Sequence, residues 1–239
     1  MAKLKEYSTL EEKEDLFING SSRIQVNLKE AFQILDNFVE RGKGNFAFRG
    51  MNEAKFKLYN SAQRYYLNQE LNLQVDPEVG IESHYNNFIS SMIDECRDWN
   101  SGTGKKLLST YNINEENALA YLSYMQHYGV PTPFLDFTFD PYTALFFALD
   151  NLSFYPSDNE IDNYFSIYYT DTSSVVYSSW RSIFAGGMKE YKEFGKISYE
   201  ELNDYPMHLL LPTDQEYKII NNTNILNQRG LFFLQQPLF

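Results

Sequence analysis

Apolar positions along the chain follow two different periods, and the change from one to the other separates its first part from its last. Leu28, Ala31, Phe32, Leu35, Phe38 and Val39 share one face of a 3.6-residue period, and Asn27 with Glu30 has the spacing of a capping box. A helix is predicted from Leu28 to Arg41. The turn RGKGN ends it, and Asn45 to Arg49 reads as a short apolar strand. Ile81, Tyr85, Phe88, Met92, Cys96 and Trp99 predict a second helix, closed by NSGTGKK. Asn114 as N-cap, with Glu115 and Glu116 in the first turn, predicts a third helix that buries Leu119, Leu122 and Met125. It stops in HYGVPTP, where Gly129 suits a left-handed position and Pro131 and Pro133 cannot continue a helix. Asp140 followed by Pro141 announces a fourth helix, whose body TALFFALD is apolar on nearly every side and is therefore expected at the centre of the domain.

Beyond that helix the period shortens. YFSIYYTD, SSVVYSS, MHLLLP and GLFFLQQ read as strands, with a helix from Asp214 to Gln228 between the last two. Helices early and strands late, without regular alternation, predict a single α+β domain. Its helices, in the first half, would pack on a mixed or antiparallel sheet formed largely by the second half. Residues 1–23 carry scattered apolar positions among charges and are read as an N-terminal arm or peripheral helix in front of a domain at 24–239.

Composition narrows the chemistry. Of 239 residues, 43% are hydrophobic and 17% aromatic, enough for a sizeable core. Twenty Lys and Arg against 32 Asp and Glu give a net charge of −12, which disfavours a broad nucleic-acid surface but leaves room for a local anion pocket. The opening MAKLKEYSTLEEKEDLF lacks the apolar core of a signal peptide, and no run is long enough to span a membrane, so a cytoplasmic protein without membrane contact is expected. Cys96 is the lone cysteine and sits in an apolar helical stripe, the place of a packed thiol. His84, His127 and His208 are widely separated and offer no zinc spacing, so no metal is expected. Nucleophile-elbow, phosphate-loop and dinucleotide fingerprints are all missing, as is the compact acidic cluster of a metal nuclease.

Three side chains stand out. Arg49 ends an apolar strand, facing away from Phe46 and Phe48, and Gly50 follows at once. A guanidinium there can hold a phosphate or carboxylate bidentately while Gly50 admits a ligand or another backbone; equally, it can form an internal ion pair with Asp136 of the strand-like FLDFT. Asp136, among Phe134, Leu135 and Phe137, needs a partner in either case. His127 falls in the last turn of its helix, where the dipole favours its protonated form, as a cap or as a catalytic group.

Two segments resemble the signature blocks of the FRG domain family, named for its Phe-Arg-Gly tripeptide. Phe48, Arg49, Gly50, Ser61 and Arg64 match the first block; Gln126, His127, Tyr128, Gly129, Pro131, Thr132, Leu135, Asp136 and Thr138 match the second. Gln228, Gly230 and Phe232 match a closing Gln-x-Gly-x-Phe. The resemblance spans about Ile24 to Leu234. Pro133 stands where the family has Arg, which removes an anion contact; Phe134 for Leu and Phe137 for Trp keep apolar bulk.

The layout is also similar to that of mono-ADP-ribosyltransferases. That likeness implies that Arg49 grips the pyrophosphate of NAD, that Ser61 supports the strand or ribose, and that Gln228 acts with Arg49 in catalysis; Gly50, Arg64 and Asp136 are further candidates for ligand binding, and His127 for catalysis. Gln228 would hold the late position usually taken by Glu, where a neutral amide stabilises developing positive charge less well. Two functions from different classes follow. One is a nucleotide- or NAD-binding protein, an ADP-ribosyltransferase-like effector in bacterial conflict or defence. The other is a non-catalytic ligand- or protein-binding module whose polar residues are structural. Arg49 and Gln228 meeting His127 in an open cleft favours the first, the same residues sealed inside the second.

Overall fold

The computed structural model describes residues 4–14, 25–41, 46–110, 117–152, 156–172, 207–210 and 230–235. The SSVVYSS strand, the helix expected from Asp214 to Gln228, and Asn114, Glu115 and Glu116 lie outside these residues. Within them, the chain begins with the short helix α1 (Leu10–Glu14) and continues with α2 (Leu28–Arg41), β1 (Phe46–Met51) and α3 (Ser61–Asn68). The helices α4 (Ile81–Thr110) and α5 (Ala118–His127) precede β2 (Phe134–Thr138) and α6 (Pro141–Leu149). The strands β3 (Ser166–Asp171), β4 (Met207–Leu210) and β5 (Gly230–Gln235) follow. The five strands form one sheet in the order β3-β1-β2-β5-β4, with every neighbouring pair antiparallel. The protein is α+β, and the expected choice between a mixed and an antiparallel sheet resolves to the latter. No helix among the described residues is long and apolar enough to cross a membrane.

Helix ends follow their local chemistry. In α2 the backbone N–H of Asn27 donates to Glu30 at 3.1 Å and that of Glu30 to Asn27 Oδ1 at 3.0 Å, the reciprocal capping box. Asp140 Oδ1 accepts from the N–H of Tyr142 at 3.1 Å, with Pro141 at the first helical position of α6. At the end of α5, Gly129 takes φ +74, and the N–H groups of Val130 and Gly129 return to the carbonyls of Met125 at 3.0 Å and Gln126 at 3.2 Å. That pair of bonds is a Schellman cap, which only a left-handed residue permits at low cost.

Three expectations need correction. Helix α5 is capped by Asn117, whose side chain accepts from Ala120 N–H at 3.1 Å, so the described helix starts later than a cap at Asn114 implies. Helix α4 breaks at Trp99–Gly102, as NSGTGKK predicts, but the chain resumes a helical course and runs on to Thr110. Its central buried residues are Tyr85, Ile89 and Ile93, while the predicted end points Ile81 and Trp99 are exposed. In α6, Ala144, Leu145 and Ala148 are buried, but Phe146 is 65% and Phe147 45% exposed. This helix turns its small residues inward, so its large aromatic ones have to project outward.

The reason lies under α6. A Cβ built on Gly50 would stand 1.8 Å from the Ala144 carbonyl oxygen and 2.7 Å from the Ala148 nitrogen. Backbone therefore rests directly on backbone at this point, and Ala144 and Ala148 keep the approach free on the helix side. The main core lies elsewhere: Tyr66, Tyr85, Ile89, Leu122 and Met125 of α3, α4 and α5 pack with Phe134 and Phe232 of β2 and β5, whose rings stack at 5.0 Å. A smaller cluster joins Tyr7 and Leu10 to Ala54 and Ile161, and Glu6 bridges to Phe56, so residues 4–14 lie against the domain.

Gly50→Ala is expected to lower the free energy of unfolding by at least about 2 kcal/mol, because the backbone of α6 has to move to admit the methyl group. Urea denaturation followed by circular dichroism measures it; an unchanged midpoint would refute the close contact.

Candidate functional site

Strands β1 and β2 meet in a single residue pair, Phe48 with Thr138. Beside that pair Arg49 crosses between them: its Nη1 donates to the main-chain carbonyl of Asp136 at 2.6 Å. None of the ion pairs among the described residues includes Arg49, and its Nε is buried without a hydrogen-bond partner. The alternative of an Arg49–Asp136 ion pair is thus replaced by a bond to the Asp136 backbone. Burial draws the Arg49 guanidinium below its ordinary pKa; the Asp136 carboxylate opposes that shift, and the second cation Arg64 adds to it.

The Asp136 carboxylate is held by Gln126 of α5, whose amide donates to Oδ1 at 3.0 Å and to Oδ2 at 3.1 Å. Gln126 in turn accepts a short bond from the Thr132 hydroxyl. Thr132 is fully buried and also ties in α3: its N–H donates to Ser61 Oγ at 2.9 Å, and its carbonyl accepts from Ser61 Oγ at 3.1 Å and from Ala62 N–H at 3.0 Å. The polar chain Ser61–Thr132–Gln126–Asp136 fastens two helices to β2, and Arg49 joins it through the Asp136 carbonyl. Arg64 donates to the Tyr59 carbonyl at 2.7 Å and senses the Asp136 charge, although burial lowers its pKa on balance.

Above Arg49 lies a cleft of about 450 Å³, a size that suits a small ligand. Its sheet side is built by Arg49, Gly50, Asp136 and Thr138 with the first residues of β5; its other wall is α6 through Thr143, Ala144 and Phe147, with Asp150 beyond the helix end. Phe147 and Asp150 are exposed, so this side of the cleft faces solvent.

The predicted residues thus separate. Arg49, Gly50 and Asp136 line the cleft, whereas Ser61 and Arg64 stand outside its lining in the supporting network. His127 also stands outside it, exposed at the end of α5, with its ring 5.0 Å from that of Tyr128. Gln228 lies outside the described residues. Sequence reasoning gave no role to Gln126 and Thr132, although both stand in the second signature block; a carboxylate on a hydrophobic strand calls for a donor, and Gln126 was the nearest amide. Phe147 and Asp150 were missed because an apolar helix reads as wholly buried. Among the described residues no group of three or more His, Cys, Asp or Glu could hold a metal ion.

Removing the Thr132 hydroxyl strands the Gln126 amide oxygen. Thr132→Val is expected to cost about 1–3 kcal/mol of stability, and Thr132→Ser to restore most of it. Chemical denaturation of the two variants tests this; equal losses would deny the hydroxyl its part.

Residues 44–154 match the family model described as the FRG domain. No curated protein and no solved structure matches the chain. The matched segment contains β1, β2 and α6, and with them Arg49, Asp136 and the α6 wall of the cleft. The cleft is accordingly built largely within the segment that matches the FRG domain model.

Proposed function

We propose that the cleft binds a phosphate-bearing nucleotide such as NAD, with Arg49 as its anion contact. The observation that carries this reading is that Arg49 lines an accessible cleft, spends one guanidinium donor on a carbonyl, and has no ion-pair partner among the described residues. A guanidinium in that state gains by accepting a phosphate, since desolvation strengthens the charge-assisted bond once it forms. The cleft volume suits part of a dinucleotide, and the exposed Phe147 ring offers an apolar surface to a base.

Extended to chemistry, the reading makes the protein an ADP-ribosyltransferase-like effector in bacterial conflict or defence. The bond broken would be the C–N link between ribose and nicotinamide, and the acceptor would take the ribose carbon. Asp136 and Asp150 line the same cleft and could supply the negative charge that an oxocarbenium-like state requires. A second reading is a binding module without chemistry. It is favoured by the place of His127 outside the cleft and by the engagement of the Asp136 carboxylate with Gln126.

Thermal unfolding with millimolar NAD, ADP-ribose and ATP tests the binding claim. A ligand at about 100 times its dissociation constant stabilises by about 2.7 kcal/mol, so the midpoint should rise in the wild type and stay fixed in Arg49→Ala. If no nucleotide shifts the wild type, the reading falls. Release of nicotinamide from NAD by the wild type would separate the enzyme from the binding module.

A further inference from the structure

Lys13 occupies an unexpected place for a residue in a charged run: it is only 8% exposed. Its ammonium donates to the Ala54 carbonyl at 2.5 Å and to the Tyr168 hydroxyl at 2.5 Å. It also stands 5.0 Å from the centroid of the Tyr7 ring and 4.8 Å from that of Tyr168. No ion pair among the described residues includes it. Burying an ammonium without a counter-charge costs desolvation that two neutral acceptors and two ring faces offset only in part.

Both acceptors belong to the surroundings of Arg49. Ala54 follows the cleft residues Gly50, Met51 and Asn52 along the chain, and Tyr168 of β3 is the residue directly paired with Arg49 across the sheet. One cation therefore grips the segment that leaves β1 and the strand that flanks it. Residues 4–14 are fastened there independently by Tyr7 N–H, which donates to the Lys55 carbonyl at 2.8 Å, and by the packing of Tyr7 and Leu10 on Ala54 and Ile161. Neither Lys13 nor Tyr168 falls within residues 44–154, the segment that matches the family.

We infer that residues 4–14 belong to the anion site, with Lys13 as a positioning residue that holds the Arg49 strand behind the cleft and adds its own charge to the field at a bound phosphate. This inference rests on the reading of the cleft as a phosphate site. It has a consequence in pH. Burial pulls the Lys13 ammonium down to about 8, so its charge is present well below that pH and is lost as pH rises through it. Phosphate affinity must then fall as pH rises through about 8, and a bound phosphate must raise the Lys13 value by the same linkage.

Tyr7 of its own segment and Tyr168 of β3 face Lys13; beyond them Lys57, Tyr59 and Glu12 act on Tyr7, and Arg49 acts on Tyr168. Lys57 sits 4.8 Å from the Tyr7 ring centroid and 3.9 Å from Glu12. Burial pushes Tyr7 up to about 12, and raises Tyr59 and Tyr168 as well, so these phenols stay protonated while Lys13 titrates.

Calorimetric titration with ADP-ribose between about pH 7 and about pH 9.5, on the full chain, is the test. Its phosphates keep a constant charge over that range. The wild type should bind about threefold or more weakly at the upper end, a field effect of the size expected for a partly screened charge. Lys13→Arg keeps the cation at every pH and should bind as the wild type does at low pH, with a flat profile. Lys13→Met should bind at low pH only as well as the wild type does at high pH. A flat wild-type profile, or wild-type affinity in Lys13→Met, overturns the role of Lys13 while leaving the phosphate site standing. Absence of ADP-ribose binding to the wild type at every pH overturns both. Should Lys13→Met fail to fold, the wild-type and Lys13→Arg profiles decide the matter.

Discussion

The contact on which this structure turns is between two backbones. Helix α6 lies on β1 at Gly50 so closely that any side chain there would meet the Ala144 carbonyl. That approach goes with Ala144 and Ala148 turned inward and Phe146 and Phe147 outward, and the cleft lies between the helix and the strands. Arg49 is the neighbour of that contact. Because successive strand residues face opposite ways, the residue before the glycine cannot point at the helix and has to find its partner across the edge of β2.

A polar relay holds the other side of the cleft. Ser61, Thr132, Gln126 and Asp136 come from α3, the segment before β2, α5 and β2, and each hands a hydrogen bond to the next. Partly buried networks of this kind are costly when one member is missing and specific when all are present. Here the relay fixes the carboxylate of Asp136 on Gln126, so Arg49 takes the Asp136 carbonyl in place of an ion pair while still feeling the charge of the carboxylate.

The cations near β1 illustrate the same economy. Lys13 and Arg49 are both withdrawn from solvent, neither has a carboxylate partner among the described residues, and both lean on main-chain carbonyls. Burial lowers the pKa of each. A surface that is acidic on average can then present a concentrated positive field from within, where counterions and water screen it less.

Local chemistry by itself determined three of the helix ends. The Asn27–Glu30 box, the left-handed Gly129 and the Asp140–Pro141 start each depend on residues within a few positions of one another, and α2 runs from Leu28 to Arg41 as its pattern requires. The α+β class was readable for the same reason, since the hydrophobic period is a local property. The apolar neighbours of Asp136 also marked it as a candidate partner for Arg49. Only tertiary structure decided how they meet: a carboxylate is the stronger partner in the abstract, yet Gln126 occupies it from α5 and Arg49 receives the carbonyl. Likewise the run LEEKE reads as solvated, and Lys13 is buried because Tyr168, far along the chain, closes over it. Period and capping are set by neighbours in sequence; which polar group satisfies which, and which face of an all-apolar helix meets the sheet, depends on segments that sequence distance keeps apart.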